Sequence, residues 1–332
     1  MDRLRVPMQD QERFNNTLPW HELAADVTPS ERVFVVHHLG IPQMPPVQDW
    51  YLVVDGLVER PLRLGLSDLQ GFERREVLAV HECAGSPLRP TVPVRRVANV
   101  RWSGVTLASV LRGAGIAAAA RYVWATGADG GIYPPTGHPN ECYRKDLPLA
   151  KALQDEVLLA WEMNGAALDT RHGAPVRLVV PGFYGTNSVK WLTALSLQPD
   201  RADGYFTQTL YNDEVVRDGE KVAQPVWATA PNSVIVAPAL GAQLPVGRCD
   251  IRGWAWGAAP IATVAVSTDG GQRWMPAQLR PRREFGWQGF GASWDATAGA
   301  HTLMCRATDA QGVAQPLSGA RNEVMRLAVS VG

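Results

Sequence analysis

HGAPVRLVVPGFYGTNSVKW, residues 172–191, is the stretch from which the rest of the chain is read. The β-branched run from Val176 to Val180 predicts a strand, and Pro181-Gly182 stops it. His172 stands in the loop before that strand, Arg177 near its start and Lys190 in the loop after it. Gly182 and Gly185 permit positive φ and close backbone approach. Arg and Lys supply charged donors of the kind that hold phosphate, and His adds another. The same pattern also fits a solvated loop, so the segment points to an anion-bearing ligand without naming one.

A second segment, HECAGSP at residues 81–87, follows the predicted strand Glu76–His81. A cysteine at a strand end, followed by Ala-Gly, can present sulfur to a large ligand, and a thiolate is a soft ligand for a polarizable metal. Taken alone, the segment fits a buried, inert Cys83 beside a glycine turn better than a metal ligand. Working outward, Arg32–Val36, Trp50–Val54 and Arg121–Ala125 read as strands, Ser67 as a helix N-cap, and Thr106–Arg112 as a helix ending at Gly113. Strands and short helices alternate without a βαβ rhythm, which predicts an α+β fold for residues 1–224. From about residue 225 the helical patterns stop. Strand-like runs recur between Gly, Pro and Asp turns at Ser233–Val236, Cys249–Ala255, Ile261–Ser267 and His301–Ala307. Thr268-Asp-Gly-Gly271 reads as a tight hairpin. This rhythm predicts an immunoglobulin-like β-sandwich over residues 225–332.

Lys plus Arg and Asp plus Glu number 32 each, so no net field draws the chain to nucleic acid or an anionic membrane. No apolar run approaches a membrane span, and the start MDRLRVPMQDQERFNN lacks the apolar core of a secretory signal. The expectation is a cytoplasmic protein, or a periplasmic one if a leader has been removed. The four cysteines, at 83, 142, 249 and 305, form no C-x-x-C and no C-x-x-C-H, which excludes the usual zinc and c-type haem motifs. Alternation along their strands points both Cys249 and Cys305 inward, and the missing secretory signal, which argues against an oxidising compartment, leaves them as free thiols.

HECAG and HGAPVRLVVPGFYGTNSVKWL together resemble the sulfite oxidase family, whose molybdopterin domain carries a C-A-G-N-R-type loop and an H-G-x-P-x-R…P-G-x-x-G…V-K-W-L segment. FVVHH (34–38), WSGVTL (102–107) and LPLAKALQDEVLLAWEMNGAAL (147–168) extend the resemblance, and VSTDGGQRW (266–274) and CRATDAQG (305–312) resemble the family's dimerisation domain. The resemblance implies a molybdenum–molybdopterin cofactor with Cys83 as the protein's ligand to the metal. It places His38, Asp129, His172, Arg177 and Lys190 on pterin-binding positions, with Ser188 and Val189 contributing through their backbone. Tyr211, in QTLYN, falls on the active-site tyrosine. The implied activity is oxidation of sulfite to sulfate by oxo transfer. It also implies a homodimer and, since the chain carries no haem or flavin motif, a separate electron acceptor.

Two departures bear on the substrate. Val36 and Leu88 stand where the family has arginines that bind a sulfur oxyanion. Arg89 is the candidate replacement, with His37, Arg95, Arg101 and Arg144 as further sources of positive charge. Loss of the arginines would also suit a reductase of a neutral S- or N-oxide, or an inactive cofactor-binding protein.

Overall fold

The computed structural model describes residues 18–86 and 94–332; Leu88 and Arg89 lie outside the described residues. The chain forms two compact units. The first holds Val35–Val77 and Arg101–Trp227, and the second holds Ala228–Gly332 with the described parts of Asn16–Phe34 and Leu78–Val100. The chain thus passes into the second unit close to the sequence boundary at 224, but that unit also takes two earlier segments.

The first unit contains a five-stranded sheet in the order Arg144–Pro148, Tyr122–Gly127, Leu192–Gln198, Leu52–Gly56, Leu62–Leu64. Only the Leu192–Gln198 and Leu52–Gly56 neighbours run parallel. A second sheet orders Ala166–Ala167, Leu158–Met163, Val97–Thr106 and Arg74–Glu82, of which residues 97–100 and 78–82 belong to the second unit, and Arg177–Val179 also pairs with Leu158–Met163. The helix Leu107–Ala114 starts at Thr106, whose side chain accepts from the Ser109 amide. It buries Leu107, Val110 and Leu111 in a core shared with Trp50, Leu195 and Phe206. Trp50 donates its indole N–H to Leu192 O at 3.1 Å, so even this buried ring keeps its polar atom satisfied.

The second unit has a four-stranded sheet, Asn232–Ala237, Gly247–Trp256, Gln288–Ala296, Gln278–Leu279. Its five-stranded sheet runs Gln243–Leu244, Arg326–Val331, Gly299–Asp309, Ile261–Ser267, Met275–Pro276. Val234, Ile251, Val264, Leu303, Leu327 and other alternating residues of both sheets form one buried cluster. Trp20, Leu23 and Val97 of the two earlier segments belong to it, and Trp254, stacked on Trp287 at 4.9 Å, donates to Leu23 O.

Four expectations are corrected. Arg32–Val36 is not a ladder strand: Ser30–Arg32 is a 3-10 turn, and Val33, Phe34 and Val35 are buried without strand pairing. The helix at 66–70 is capped at Gly65, whose amide donates to Asp68 Oδ2 at 2.8 Å; Ser67 therefore lies within its first turn. Thr268–Gly271 opens a wider loop, in which Asp269 Oδ1 accepts from the Gln272 and Arg273 amides before the chain returns at Met275–Pro276. The α part of α+β is slight, because the described α-helices, Leu66–Gln70, Leu107–Ala114 and Leu149–Ala152, are short and strands dominate. Among the described residues, no helix is long and apolar enough to cross a membrane.

Candidate active site and cofactor-binding residues

The Arg177–Val179 strand and the loop that follows it fold back on each other, because Leu178 N donates to Val189 O at 2.8 Å and Val180 N to Ser188 Oγ at 3.0 Å. Arg177 is thereby buried under the loop. Its guanidinium donates to His172 O at 3.0 Å and Ser188 O at 3.1 Å and lies 4.8 Å from the Trp102 ring. Burial lowers its pKa to about 9, so it remains a cation at neutral pH. Lys190 donates to Arg171 O at 2.9 Å. Burial pushes its pKa down and neighbouring Arg177 adds to that, while Asp129 and Asp169 oppose it. Burial pushes the Asp129 carboxyl up, against the pull of Lys190. His172 is held by Asp169, whose Oδ1 accepts from its backbone N at 2.8 Å and meets its Nδ1 at 2.9 Å.

Two glycines let this cluster close. Gly173 has φ +103°, and a Cβ there would stand 2.9 Å from Lys190 Cβ; at Gly127 it would stand 2.5 Å from Asp129 Oδ1. Trp191 adopts φ +48°, a conformation rarely seen outside glycine, and its indole donates to Thr170 O at 2.7 Å. Ser188 uses both backbone groups inside the protein, its amide on Gly185 O and its carbonyl on Arg177.

His38 lies in an aromatic cluster of the same unit. Its Nε2 meets the Tyr211 hydroxyl at 2.5 Å, and its ring stacks on Phe206 at 5.3 Å and stands edge-on to Tyr133. Tyr143 joins this cluster to the cationic one: its ring lies 4.8 Å from Phe206, and its amide donates to Asp129 O at 2.7 Å. Lys145, buried in a strand, donates to Phe206 O at 2.9 Å and stands 5.1 Å from the Tyr211 ring. Burial lowers Lys145 to about 8. The sequence reading missed Tyr133, Tyr143, Lys145 and Phe206. Their signal was weak but present, since a Lys-Asp pair inside the apolar-flanked strand Arg144–Pro148 must be buried on one face or the other.

The second unit holds Cys83. It follows the strand Arg74–Glu82, its amide donates to Arg96 O at 3.0 Å, and its carbonyl accepts from Ser86 N at 2.8 Å. Ser86 Oγ accepts in turn from Arg96 N at 2.8 Å, so the Cys83–Ser86 turn is pinned to one neighbouring residue. Burial pushes the thiol pKa up, and the Gly85 amide and Arg96 pull against it. Glu82 is buried, accepting from Asn232 Nδ2 at 3.0 Å and Trp256 Nε1 at 2.9 Å, and burial raises it to about 7. Of the other sources of charge, Arg101 pairs with Glu76 at 2.8 Å and Arg144 with Asp203 at 2.9 Å, while Arg95 packs on Trp20.

The donor set suits a molybdopterin. Arg177 is a buried cation, and half-buried Lys190, whose pKa Arg177 pushes further down, would be relieved by an anionic ligand. The oxidoreductase molybdopterin-binding domain matches residues 38–206, and the Mo-co oxidoreductase dimerisation domain matches 223–328. Sulfite oxidase of Gallus gallus is 34% identical over 91% of this chain and 71% of its own. The chain belongs to the sulfite oxidase family. It is a molybdopterin-dependent oxidoreductase. Mitochondrial sulfite oxidase of Homo sapiens is 32% identical over 93% of this chain, which spans only 61% of the human protein. The sulfane dehydrogenase SoxCD of Paracoccus pantotrophus superposes with a TM-score of 0.83 at 27% identity, covering 99% of this chain and 88% of that one.

Proposed function

We propose that this oxidoreductase oxidises sulfite to sulfate and passes the electrons to a separate acceptor. The observation that carries the reading is buried Arg177 with half-buried Lys190 and buried Asp129 in a chain whose relatives are sulfite oxidases. Arg177, Lys190, His172 and Asp129 would hold the pterin and its phosphate, with His38 beside them, and Cys83 would supply the thiolate to molybdenum; the Ser188 amide and carbonyl, already bonded to Gly185 and Arg177, would support that site instead of binding the pterin directly. When bound, the cofactor supplies two-electron oxo transfer. Tyr211, fixed by His38 and lying near the Lys145 ammonium, orients an oxyanion substrate through its hydroxyl. Arg89, outside the described residues, stands as the candidate for the charge that Val36 and Leu88 do not supply.

A second reading changes the substrate, not the cofactor. Val36 in place of a family arginine, together with the likeness to a sulfane dehydrogenase, favours a sulfane sulfur substrate. The relatives favour either oxidation over the S- or N-oxide reductase and the inactive carrier. Purified protein loaded with molybdopterin, given sulfite or a sulfane-sulfur compound with an acceptor dye, separates the two; turnover on neither rejects both.

We also read residues 1–224 as the catalytic module and 225–332 as an immunoglobulin-like dimerisation module giving a homodimer. Its two-sheet core and the dimerisation-domain match support this. A monomer in sedimentation at micromolar concentration would reject the dimer.

A further inference from the structure

The strand that delivers Cys83 ends in a buried carboxyl that no step of the proposed chemistry uses. Glu82 is 1% exposed, and its two oxygens are held separately, Oε1 by Asn232 Nδ2 at 3.0 Å and Oε2 by Trp256 Nε1 at 2.9 Å. These donors lie on the neighbouring strands Asn232–Ala237 and Gly247–Trp256, where Asn232 and Trp256 are register partners. Asn232 is itself fixed, because its Oδ1 accepts from Gln315 Nε2 at 3.1 Å and from Ser233 N at 2.9 Å. Gln315, fully buried, accepts from Ala307 N at 2.8 Å and from the Ser233 hydroxyl. On the preceding residue, His81 stacks on Phe34 at 5.4 Å, so the strand end is held on both faces.

Burying a carboxyl is costly, and an apolar side chain of similar volume would fill the space without that cost. What the carboxyl adds is direction. Two separate acceptors gripped by two separate donors fix the rotation of the chain at Glu82, and adjacent residues of an extended chain point to opposite sides. We propose that Glu82 is a positioning residue for Cys83: held by Asn232 and Trp256, it sets the direction in which the thiol leaves the strand. The inference rests on reading Cys83 as the metal ligand.

The test uses full-length protein loaded with molybdopterin, read by the thiolate-to-molybdenum absorption band and by metal content. In Glu82→Gln the amide must turn its NH2 toward Asn232 or Trp256, both donors, and one bond is lost. The band of the metal-bearing fraction is expected to shift. In the cofactor-free full chain, alkylation of Cys83 is expected to speed up about five- to tenfold, the worth of one hydrogen bond. The exchanged pair Glu82→Gln with Asn232→Asp restores a donor facing an acceptor and should return both readouts to wild type. A merely structural Glu82 would lower the melting temperature and metal content while leaving the band in place, whatever the loss of its charge does to the alkylation rate, and that result overturns the proposal. Should Glu82→Gln fail to fold, Trp256→Phe removes one donor only and is judged by the same two readouts. Cys83→Ser separates the two ideas: a thiolate band that survives it rejects the ligand reading itself, whereas its loss beside an unmoved Glu82→Gln band rejects only the positioning role.

Discussion

The segment around Arg177 and the segment around Cys83 solve opposite problems. The first buries cations, holding Arg177 on the carbonyls of His172 and Ser188 within a stretch of 17 residues, 172–188. The second sets a half-buried thiol beside a buried carboxyl whose partners lie 150 and 174 residues away. The cationic site is built by local chain reversal, so the sequence that binds is also the sequence that folds. The cysteine site depends on strands far along the chain. A local site should therefore lose ligand when mutated, and a remotely anchored one should lose chemistry or geometry.

The largest expected effect tests that contrast directly. Cys83→Ser should leave a folded protein that still carries pterin but has lost turnover, since a neutral hydroxyl is a poor substitute for a thiolate on the metal. Pterin content by fluorescence after release, set beside dye reduction with sulfite, checks it; full activity in the variant would break the assignment of Cys83. Arg177→Ala and Lys190→Ala should do the reverse. Each removes one charged hydrogen-bonding group worth roughly 1.5–3 kcal/mol, or about ten- to a hundredfold in cofactor affinity, while turnover per bound metal stays near wild type. Unchanged metal content in both variants would mean that these cations serve the fold and not the ligand.

Lys145 sharpens the comparison from the folding side. Burial lowers its pKa from 10.5 to about 8, so between those values the unfolded chain holds a proton that the folded chain has released. Stability therefore rises with pH across that window, and the penalty of burying the ammonium is fully present below pH 8. Relative to Lys145→Met, wild type should gain up to about 3 kcal/mol from pH 8 to 10.5, by urea unfolding at each pH. A parallel pair of curves would show that Lys145 keeps its charge in the folded state.

The same contrast explains what could be read in advance. His172, Arg177 and Lys190 were legible as a group because one strand and its glycine-rich loop carry all three, whereas Gly127, Asp129 and Trp102, which complete the cluster, come from elsewhere in the chain. Glu82 was not, since nothing in HECAG announces Asn232 or Trp256; only strand pairing does. Arg32–Val36 failed for a related reason. β-branched and aromatic runs report burial as much as pairing, and here Val33 to Val35 are buried without a ladder. Ser67 failed because Asp68 reaches back to the Gly65 amide, putting the cap two residues earlier than the hydroxyl suggested.

The smallest expected effects lie in Cys249 and Cys305, which alternation placed together in one core. The structure buries both as free thiols but separates them. Cys305 sits in the main cluster of the second unit, where the Ser233 hydroxyl meets its sulfur at 3.3 Å and burial pushes its pKa to about 12. Cys249 belongs to a small cluster with Ala296 and Val331 and donates to Pro245 O at 3.4 Å. Cys305→Ala should therefore cost on the order of 1–2 kcal/mol, as a lost core contact does, and Cys249→Ala less than about 1 kcal/mol. Both are free thiols in separate clusters, so titration of denatured, unreduced protein should find all four cysteines reactive. Two missing thiols, with a peptide linking 249 to 305, would mean that the two clusters are one and that the strands bearing them pair differently.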